Sequence, residues 1–367
     1  MKRYSEVVLN GHPDKFCDLV SDRFVREICK SDPAAYAQIE VAVWSDMIFL
    51  TGGVVTGTRL SLSVEEVIRE LGREIGYTSE NHIDVGRYRV MDHVCWLTGD
   101  LFWWTGFVND QCIVTGYAGY DAVTGFLPPE HFCAWHFRDK LIKSLHEGPL
   151  EGQGPDGKIL VVMDEGYGEW GLAKVLVTLQ QQERVSFIDF TGAVDKVLRD
   201  AWRELRLMDR RWQGEWEDVM VLVNPNGPLV NGGSDGDNGQ TGRKLVMDFY
   251  GPRVPVGGGA LYGKHLSHID RLAAMMARKL SVELVAGGSD EALVRVCFAP
   301  GMDKPLCVDI TSSVKPATDP QEFFTFANMK QSITVSDLDY NLSALGSFYN
   351  PELSFNKPPV QRYNMVG

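Results

Sequence analysis

Hydrophobic and polar positions along the chain follow one pattern three times. In each unit two apolar runs flank a short polar turn, and a segment with helical hydrophobic spacing follows. The predicted strand pairs and helices are Ile39–Trp44, Met47–Val55 and Ser63–Gly76; Lys158–Met163, Leu172–Leu179 and Val194–Leu205; and Ala292–Ala299, Leu306–Ile310 and Asp319–Met329. Sheets covered on one side by helices predict an α+β protein with three similar sheet-plus-helix domains in a pseudo-threefold arrangement.

Breaks in this pattern near residues 104–108 and 224–227 predict the domain boundaries. An N-terminal repeat would span residues 1–104, a central repeat 105–223 and a C-terminal repeat 224–367. A chain that passes back and forth between packed units would make these domains discontinuous in space. The length itself is compatible with about two or three domains.

Composition narrows the class of protein. The chain has 367 residues, of which 44% are hydrophobic, and its formal net charge is −13. An acidic chain without a basic stripe is not expected to have nucleic acid as its main partner. No apolar run reaches the length of a membrane span and the start lacks a signal-peptide core, so we expect a cytoplasmic protein with no membrane partner. Its 7 scattered cysteines then fit free thiols in a reducing compartment.

The segment 231–271 concentrates glycine around charged side chains. Arg243, Lys244 and Lys264 lie on its glycine-rich turns, with Asp237 and Asp270 nearby. Glycine lets the backbone approach a ligand and turn its N–H groups toward it. Basic side chains neutralise phosphate oxygens, and a carboxylate can hold the Mg²⁺ that accompanies a polyphosphate. The segment therefore predicts an anion site.

A second glycine-bearing stretch, GHPDK at residues 11–15, precedes a segment with helical apolar spacing. Pro13 suits the first helical turn, where its missing N–H costs nothing. His12 and Asp14 are therefore predicted at a helix N-terminus. Free N–H groups and the helix dipole favour phosphate at such an end.

Together these stretches resemble the S-adenosylmethionine synthetases, also called methionine adenosyltransferases. The resemblance extends to about Ile310, and it is weak over the last fifty or so residues. The motifs that carry it are GHPDK at 11–15, GDNG at 236–239, TGRK at 241–244, GGGALYGK at 257–264 and IDR at 269–271; NDQ at 109–111, GYA at 116–118 and PDGK at 155–158 match more weakly.

The resemblance implies a transferase in which the sulfur of methionine attacks C5′ of ATP. The triphosphate leaves and is hydrolysed to pyrophosphate and phosphate before release. A thioether has no proton to lose, so the attack needs no general base, and in-line placement can supply about 7–11 kcal/mol of the barrier. Two Mg²⁺ ions per site, a K⁺ ion, and a homodimer or dimer of dimers with shared active sites are also implied.

Roles carried over from the resemblance fall on 13 positions. His12 would donate to the oxygen that leaves C5′. The other implied roles are triphosphate binding by Lys158, Arg243, Lys244 and Lys264; Mg²⁺ binding by Asp14 and Asp270; K⁺ binding by Glu40; contacts with nucleoside and amino acid by Asp237; lining of the nucleotide pocket by Asp110 and Asp156; close backbone approach at Ala260; and a substrate contact by His268.

The sequence departs from the family pattern at the amino-acid and base ends. Val54 occupies the position of a family glutamate, His268 that of a family lysine that also faces methionine, and Leu229 that of the aromatic residue that stacks on adenine. Residues 97–108 are shorter and more aromatic than the family's mobile loop. Two interpretations remain open: methionine held by other groups, which we favour, or a different thioether or nucleotide.

Two further readings compete with this one. GGGALYGK fits the spacing of a phosphate-binding P-loop, but His265 follows where Ser or Thr is required. A non-catalytic regulatory protein of the same fold is the other rival. The sequence also suggests metal at His131 and His136, which flank Cys133, but that spacing matches no familiar zinc pattern and we interpret both histidines as structural.

Overall fold

The computed structural model of the chain describes residues 1–57, 62–333, 344 and 346–359. Three β-sheets each pack one face against helices, and each sheet belongs to its own hydrophobic core. The predicted α+β fold with three sheet-plus-helix units is confirmed. Among the described residues, no helix combines the length and apolar character that crossing a membrane would require.

The described residues form strands and helices with the following bounds. The strands are β1 (Lys2–Val8), β2 (Tyr36–Trp44), β3 (Met47–Val55), β4 (Arg89–Leu97), β5 (Cys112–Gly119), β6 (Gly157–Gly166), β7 (Glu169–Leu179), β8 (Trp212–Gln213), β9 (Met220–Val223), β10 (Gly239–Gln240), β11 (Glu291–Phe298) and β12 (Cys307–Ser312). The helices are α1 (Pro13–Ser31), α2 (Val64–Ile75), α3 (Phe102–Thr105), α4 (Pro129–His146), α5 (Phe187–Met208), α6 (Leu245–Asp248), α7 (Ile269–Ala286), α8 (Pro320–Phe323) and α9 (Phe326–Ser332).

The first sheet has the order β1-β6-β7-β8, and β9 also pairs with β7. The β1, β6 and β7 strands are antiparallel, whereas β8 and β9 run parallel to β7. Its core includes Trp135 from α4 and Trp202 from α5. His131 of α4 is buried there, where it accepts from the indole N–H of Trp135 and bonds Ser5. These contacts are those of a structural histidine.

The second sheet has the order β10-β2-β3-β4 and packs against α1 and α2. The α2 helix begins with a capping interaction, because Ser63 accepts from the backbone N–H of Glu66. It ends at Gly76, whose φ of 98° is a left-handed conformation that glycine adopts without strain. The sequence pattern locates β2, β3 and α2 to within three residues at each end.

The third sheet has the antiparallel order β12-β11-β5 and packs against α7, which is buried along most of its length. The single helix predicted over Asp319–Met329 is wrong, because α8 ends at Phe323 and α9 begins at Phe326. Thr325 caps α9 by accepting from the N–H of Asn328, and this cap requires an extended backbone at the junction.

Each of the first two sheets collects strands from distant parts of the sequence. The β1 strand pairs with β6, and β10 pairs with β2. The β10 pairing brings the segment 231–271 to the second sheet, against which α1, with residues 11–15 at its start, also packs. The domain limits at residues 104 and 223 stay a prediction.

Candidate functional site

His12 begins the first half of the site as the N-cap of α1. Its Nδ1 accepts from the backbone N–H of Asp14 at 3.2 Å, so in the neutral ring Nε2 carries the proton. Burial lowers the pKa of His12 to about 3, and the nearby Lys244 cation acts in the same direction while Asp14 opposes it. The side chain is therefore a neutral hydrogen-bond donor at neutral pH.

The loop that contains GDNG and TGRK lies over this helix end. Asp14 is only 1% exposed, and its Oδ1 accepts from the N–H of Gln240 at 2.9 Å. Lys244 forms an ion pair with Asp14 Oδ2, and the guanidinium of Arg243 lies 3.5 Å from Oδ1. A Cβ at Gly239 would approach the backbone of Pro13 to 2.3 Å, so glycine is required for this contact.

Lys158 and two of the predicted substrate-binding carboxylates, Asp156 and Asp237, lie beside the same helix end. Lys158 pairs with Val8 across β6 and β1, and its charge contributes to the low pKa of His12. Asp156 accepts from the N–H of Gly233 at 2.7 Å. Burial raises the pKa of Asp156 to about 6, and the exposed Asp237 adds to the rise. The structure thus brings these three predicted residues together around His12 and Gly233.

The second half of the site repeats the first at the N-terminus of α7. His268 is the N-cap, and its Nδ1 accepts from the N–H of Asp270 at 3.2 Å. Lys264 pairs with Asp270 at 2.7 Å, and both are buried. Burial lowers the pKa of His268 to about 4, and the Lys264 cation adds to the effect. Each helix end therefore carries a His-x-Asp cap and a lysine paired with the aspartate.

The loop of GGGALYGK fits closely around this second helix end. A Cβ at Gly259 would lie 2.5 Å from the carboxyl carbon of Asp270, and one at Gly242 would lie 2.9 Å from Cβ of Ala260. The Ala260 contact joins this loop to TGRK. The preceding residues 254–256 form no strand, and α7 begins five residues after Lys264. The P-loop interpretation is therefore wrong, since a P-loop connects a strand directly to its helix.

Asp110, His268 and Asp270 form a compact cluster whose candidate ligand atoms lie within 4.8 Å of one another. His268 Nε2 is 3.9 Å from Asp110 Oδ2. Because the cap already uses the lone pair of Nδ1, Nε2 bears the hydrogen and cannot also ligate a metal. The chemistry of this cluster is therefore two carboxylates able to hold a cation, with a histidine donor between them.

The β2 strand connects the two halves. Its Gln38 pairs with Lys264, and its Ala42 pairs with Gln240. These positions are four residues apart on the strand, which places the two loops about 13 Å apart along β2. Glu40 lies between them on the same face. Desolvation raises the pKa of Glu40, and the neighbouring Lys264 opposes that rise.

Sequence reasoning missed the buried charges that support both halves. Lys15 bonds Asp18 at 2.9 Å and Asp248 at 2.5 Å, with all three side chains almost fully buried. Arg271 donates to the carbonyl of Lys264 at 2.7 Å and pairs with Asp22 at 2.8 Å. The available signal was charge on the buried face of a helix: Asp18 and Asp22 follow Asp14 at four-residue steps.

The fold and the site define an α+β protein with two helix N-termini that combine cations, carboxylates and neutral histidine donors. The family model for the N-terminal domain of S-adenosylmethionine synthetase matches residues 2–95, and the model for the C-terminal domain matches residues 231–354. The chain belongs to the S-adenosylmethionine synthetase family. Membership supports an S-adenosylmethionine-forming transferase.

Similar proteins cover nearly the whole chain. An S-adenosylmethionine synthase of Wolinella succinogenes is 29% identical over 363 residues, covering 96% of this chain and 91% of the relative. One from Prochlorococcus marinus is 32% identical over 341 residues, covering 85% and 80%. A solved structure of an unusual S-adenosylmethionine synthetase from Campylobacter jejuni superposes with a TM-score of 0.83 at 23% identity over 97% of each chain, and it supports the fold.

Proposed function

We propose that this protein forms S-adenosylmethionine from ATP and methionine by in-line attack of the thioether sulfur on C5′ of ATP, and that it then hydrolyses the tripolyphosphate to pyrophosphate and phosphate. The observation that carries the proposal is the repeated helix end, at which a histidine cap, a buried aspartate and a paired lysine converge. Helix N-termini and cations favour the phosphate oxygens on which charge grows as the bond to C5′ breaks.

His12 is the residue we propose to act on the leaving oxygen. Its Nδ1 is held by the α1 backbone, which fixes the ring and leaves the Nε2–H as a donor. A neutral donor can strengthen its hydrogen bond as negative charge develops without first losing a proton. The low pKa of His12 supports this role, because the ring stays neutral beside Lys244 and Lys158.

Lys158, Arg243, Lys244 and Lys264 are proposed to bind the triphosphate. The Lys244 and Lys264 ammonium groups pair with Asp14 and Asp270, so the buried charges are compensated. Asp110, Asp156 and Asp237 are proposed to contact nucleoside or amino acid, and His268 to donate to substrate. Ala260, at the contact between the two glycine loops, would allow close approach of the backbone.

The residues present fit Mg²⁺ at both helix ends. Asp14 and Asp270 offer buried carboxylate oxygens, and a cationic group already lies against each of them. Oxygen donors with water and phosphate completing the shell are what Mg²⁺ prefers. When bound, Mg²⁺ would supply charge compensation for the phosphate oxygens. Potassium at Glu40 stays a prediction, supported by the position of that carboxylate between the two halves.

We also propose a homodimer or dimer of dimers with shared sites. The outer face of the second sheet carries Trp44, Phe49 and Met91, which are 56%, 38% and 38% exposed. Phe49 pairs with Met91 across β3 and β4, so these apolar side chains form a patch on the face that also bears Glu40. A second copy that covered this face would bring its own helix ends close to these. Cytoplasmic location stays a prediction.

The choice of thioether is the open part of the proposal. Val54 is fully buried in the core of the second sheet, so this position offers no side chain to a ligand. Methionine recognition would then fall to Asp110 and His268, whose polar atoms face each other at 3.9 Å. A carboxylate beside a neutral donor suits the charged ends of an amino acid.

The test supplies Mg²⁺, ATP and methionine and measures S-adenosylmethionine by mass spectrometry, with ethionine and methylthiopropylamine as alternative thioethers. His12→Asn is the test variant, because asparagine also caps helices but its shorter side chain does not carry a donor as far as the position of Nε2. We expect methionine to be the best substrate and His12→Asn to lose about 10²–10³-fold in kcat. Product from another thioether alone would reassign the substrate. No product with any thioether and no tripolyphosphate hydrolysis would indicate a non-catalytic protein.

A further inference from the structure

A cluster of three charged side chains lies beneath the first helix end. Lys15 is fully buried, and its ammonium contacts Asp18 at 2.9 Å, Asp248 at 2.5 Å and the ring of Tyr262 at 4.8 Å. Asp18 and Asp248 are 0% and 2% exposed. Because such a cluster cannot reach a ligand, any role in the reaction must pass through the groups that it holds.

Both ends of the basic loop are attached to this cluster. Asp18 Oδ1 accepts from the N–H of Gly242 at 2.9 Å, just before Arg243 and Lys244. Asp248, which bonds Lys15, ends the short α6 helix that begins directly after Lys244. The two proposed phosphate-binding side chains therefore lie between two anchors, and both anchors lead back to the first two turns of α1.

The same helix end supplies a third attachment one turn earlier. Asp14 accepts from the N–H of Gln240 at 2.9 Å, and Asp18 accepts from Gly242 at the same distance. Residues four apart lie on the same face of a helix, so two carboxylates hold alternate N–H groups of the segment from Gln240 to Gly242. Lys15 donates to the second carboxylate oxygen of Asp18, Oδ2, and thereby fixes the orientation of this carboxylate.

We propose that Lys15, Asp18 and Asp248 are positioning residues that hold the 240–248 segment against α1 and so set the places of Arg243 and Lys244 relative to Asp14. This inference rests on the proposed function only where it concerns phosphate binding. The attachment of the loop itself is a separate claim and can be measured without a substrate.

The experiment compares Asp18→Asn with Glu130→Gln in the full-length chain. Glu130 is also a 2% exposed carboxylate in a bidentate pair with a cation, but that cation is Arg253, which lies outside the 239–248 peptide. In Asp18→Asn the new amide group must face Lys15 with a donor or release Gly242. Hydrogen exchange of the 239–248 peptide should rise about tenfold or more, whereas Glu130→Gln should leave it within about twofold.

A binding measurement with inorganic tripolyphosphate and Mg²⁺ tests the consequence. Asp18→Asn should raise the Kd about tenfold or more, and Glu130→Gln should not, even at a matched loss of thermal midpoint. In a chain that already carries Lys244→Met and Arg243→Met, Asp18→Asn should raise the Kd by no more than about twofold, because Asp18 acts through those two side chains. Asp248→Asn, which spares the Gly242 bond, serves as a second variant and should raise exchange at residues 245–248.

The outcomes separate the two claims. Unchanged hydrogen exchange in both Asp18→Asn and Asp248→Asn would overturn the positioning role. So would an Asp18→Asn substitution that raises the Kd by the same factor in the Arg243→Met, Lys244→Met background as in the wild type. A wild-type chain that binds no tripolyphosphate would instead count against the proposed function, while the exchange measurement would still decide whether the cluster holds the loop.

Discussion

Gly239→Ala is the sharpest test of how the glycine loop is built around α1. An added Cβ would lie 2.3 Å from the carbonyl carbon and oxygen of Pro13 and 2.8 Å from the nitrogen of Asp14. All three contacts are with backbone, which cannot turn aside as a side chain can. The loop must therefore move away from the helix end, even though alanine is compatible with the backbone conformation in general.

The size of the effect follows from the geometry. Relief of the 2.3 Å contact to the 3.4 Å of ordinary van der Waals contact needs a shift of about 1 Å. The 2.9 Å bond from Gln240 N–H to Asp14 would then stretch to about 4 Å and be lost, at a cost of about 1.5–3 kcal/mol. A misplacement of about 1 Å in catalytic groups costs on the order of 10²-fold in rate.

The assay measures kcat for S-adenosylmethionine formation together with the free energy of unfolding in urea. Gly192→Ala is the matched control, because it replaces an exposed glycine of α5 at which a Cβ would meet nothing within 4 Å. That control should be as stable as the wild type or about 1 kcal/mol more stable, with unchanged kcat. Wild-type kcat and stability in Gly239→Ala would refute the close fit between β10 and α1.

Two further predictions concern buried histidines. Burial lowers the pKa of His131 to about 4, so between pH 7 and pH 5 only the unfolded wild type gains a proton at this residue, and the wild type loses stability. The difference in free energy of unfolding between wild type and His131→Gln should therefore shrink by about 2 kcal/mol over that range. Urea unfolding at both pH values measures this difference, and a constant value would contradict the prediction. In His268→Asn the α7 cap should survive, but the shorter side chain no longer carries a donor as far as the position of Nε2, which faces Asp110. The KM for methionine should therefore rise about fivefold with an unchanged thermal midpoint. A normal KM would remove His268 from the thioether end.

Local rules account for the parts of the fold that the sequence predicted well. Ser63 and Gly76 delimit α2 because a side-chain cap and a left-handed residue are encoded within a few positions. Pro13 placed His12 at the start of α1 for the same reason. By contrast, the break between α8 and α9 was missed, because the apolar spacing continues through Thr325 although its side chain caps the second helix.

Long-range partners account for what could not be predicted. The bond between Lys15 and Asp248 joins residues 233 positions apart, and no periodicity in either segment identifies that partner. The parallel pairing of β3 with β4 and the pairing of β1 with β6 are of the same kind. His268 entered the candidate site only through resemblance, although its spacing to Asp270 repeats that of His12 to Asp14. The repeated His-x-Asp spacing would itself have predicted a second histidine cap at His268.

The repeated helix end also explains how the site can hold so much buried charge. Asp14 and Asp270 would each cost several kcal/mol if left unpaired, and Lys244 and Lys264 provide the compensation. In the proposed function Lys244 and Lys264 would bind phosphate, and Asp14 and Asp270 would hold Mg²⁺. Each of these charges would then have a partner of opposite sign. Replacing either lysine alone should therefore lower the free energy of unfolding measured without ligand, and it should also weaken ligand binding. The reason is that the remaining aspartate is buried at a helix end whose dipole compensates its charge only in part.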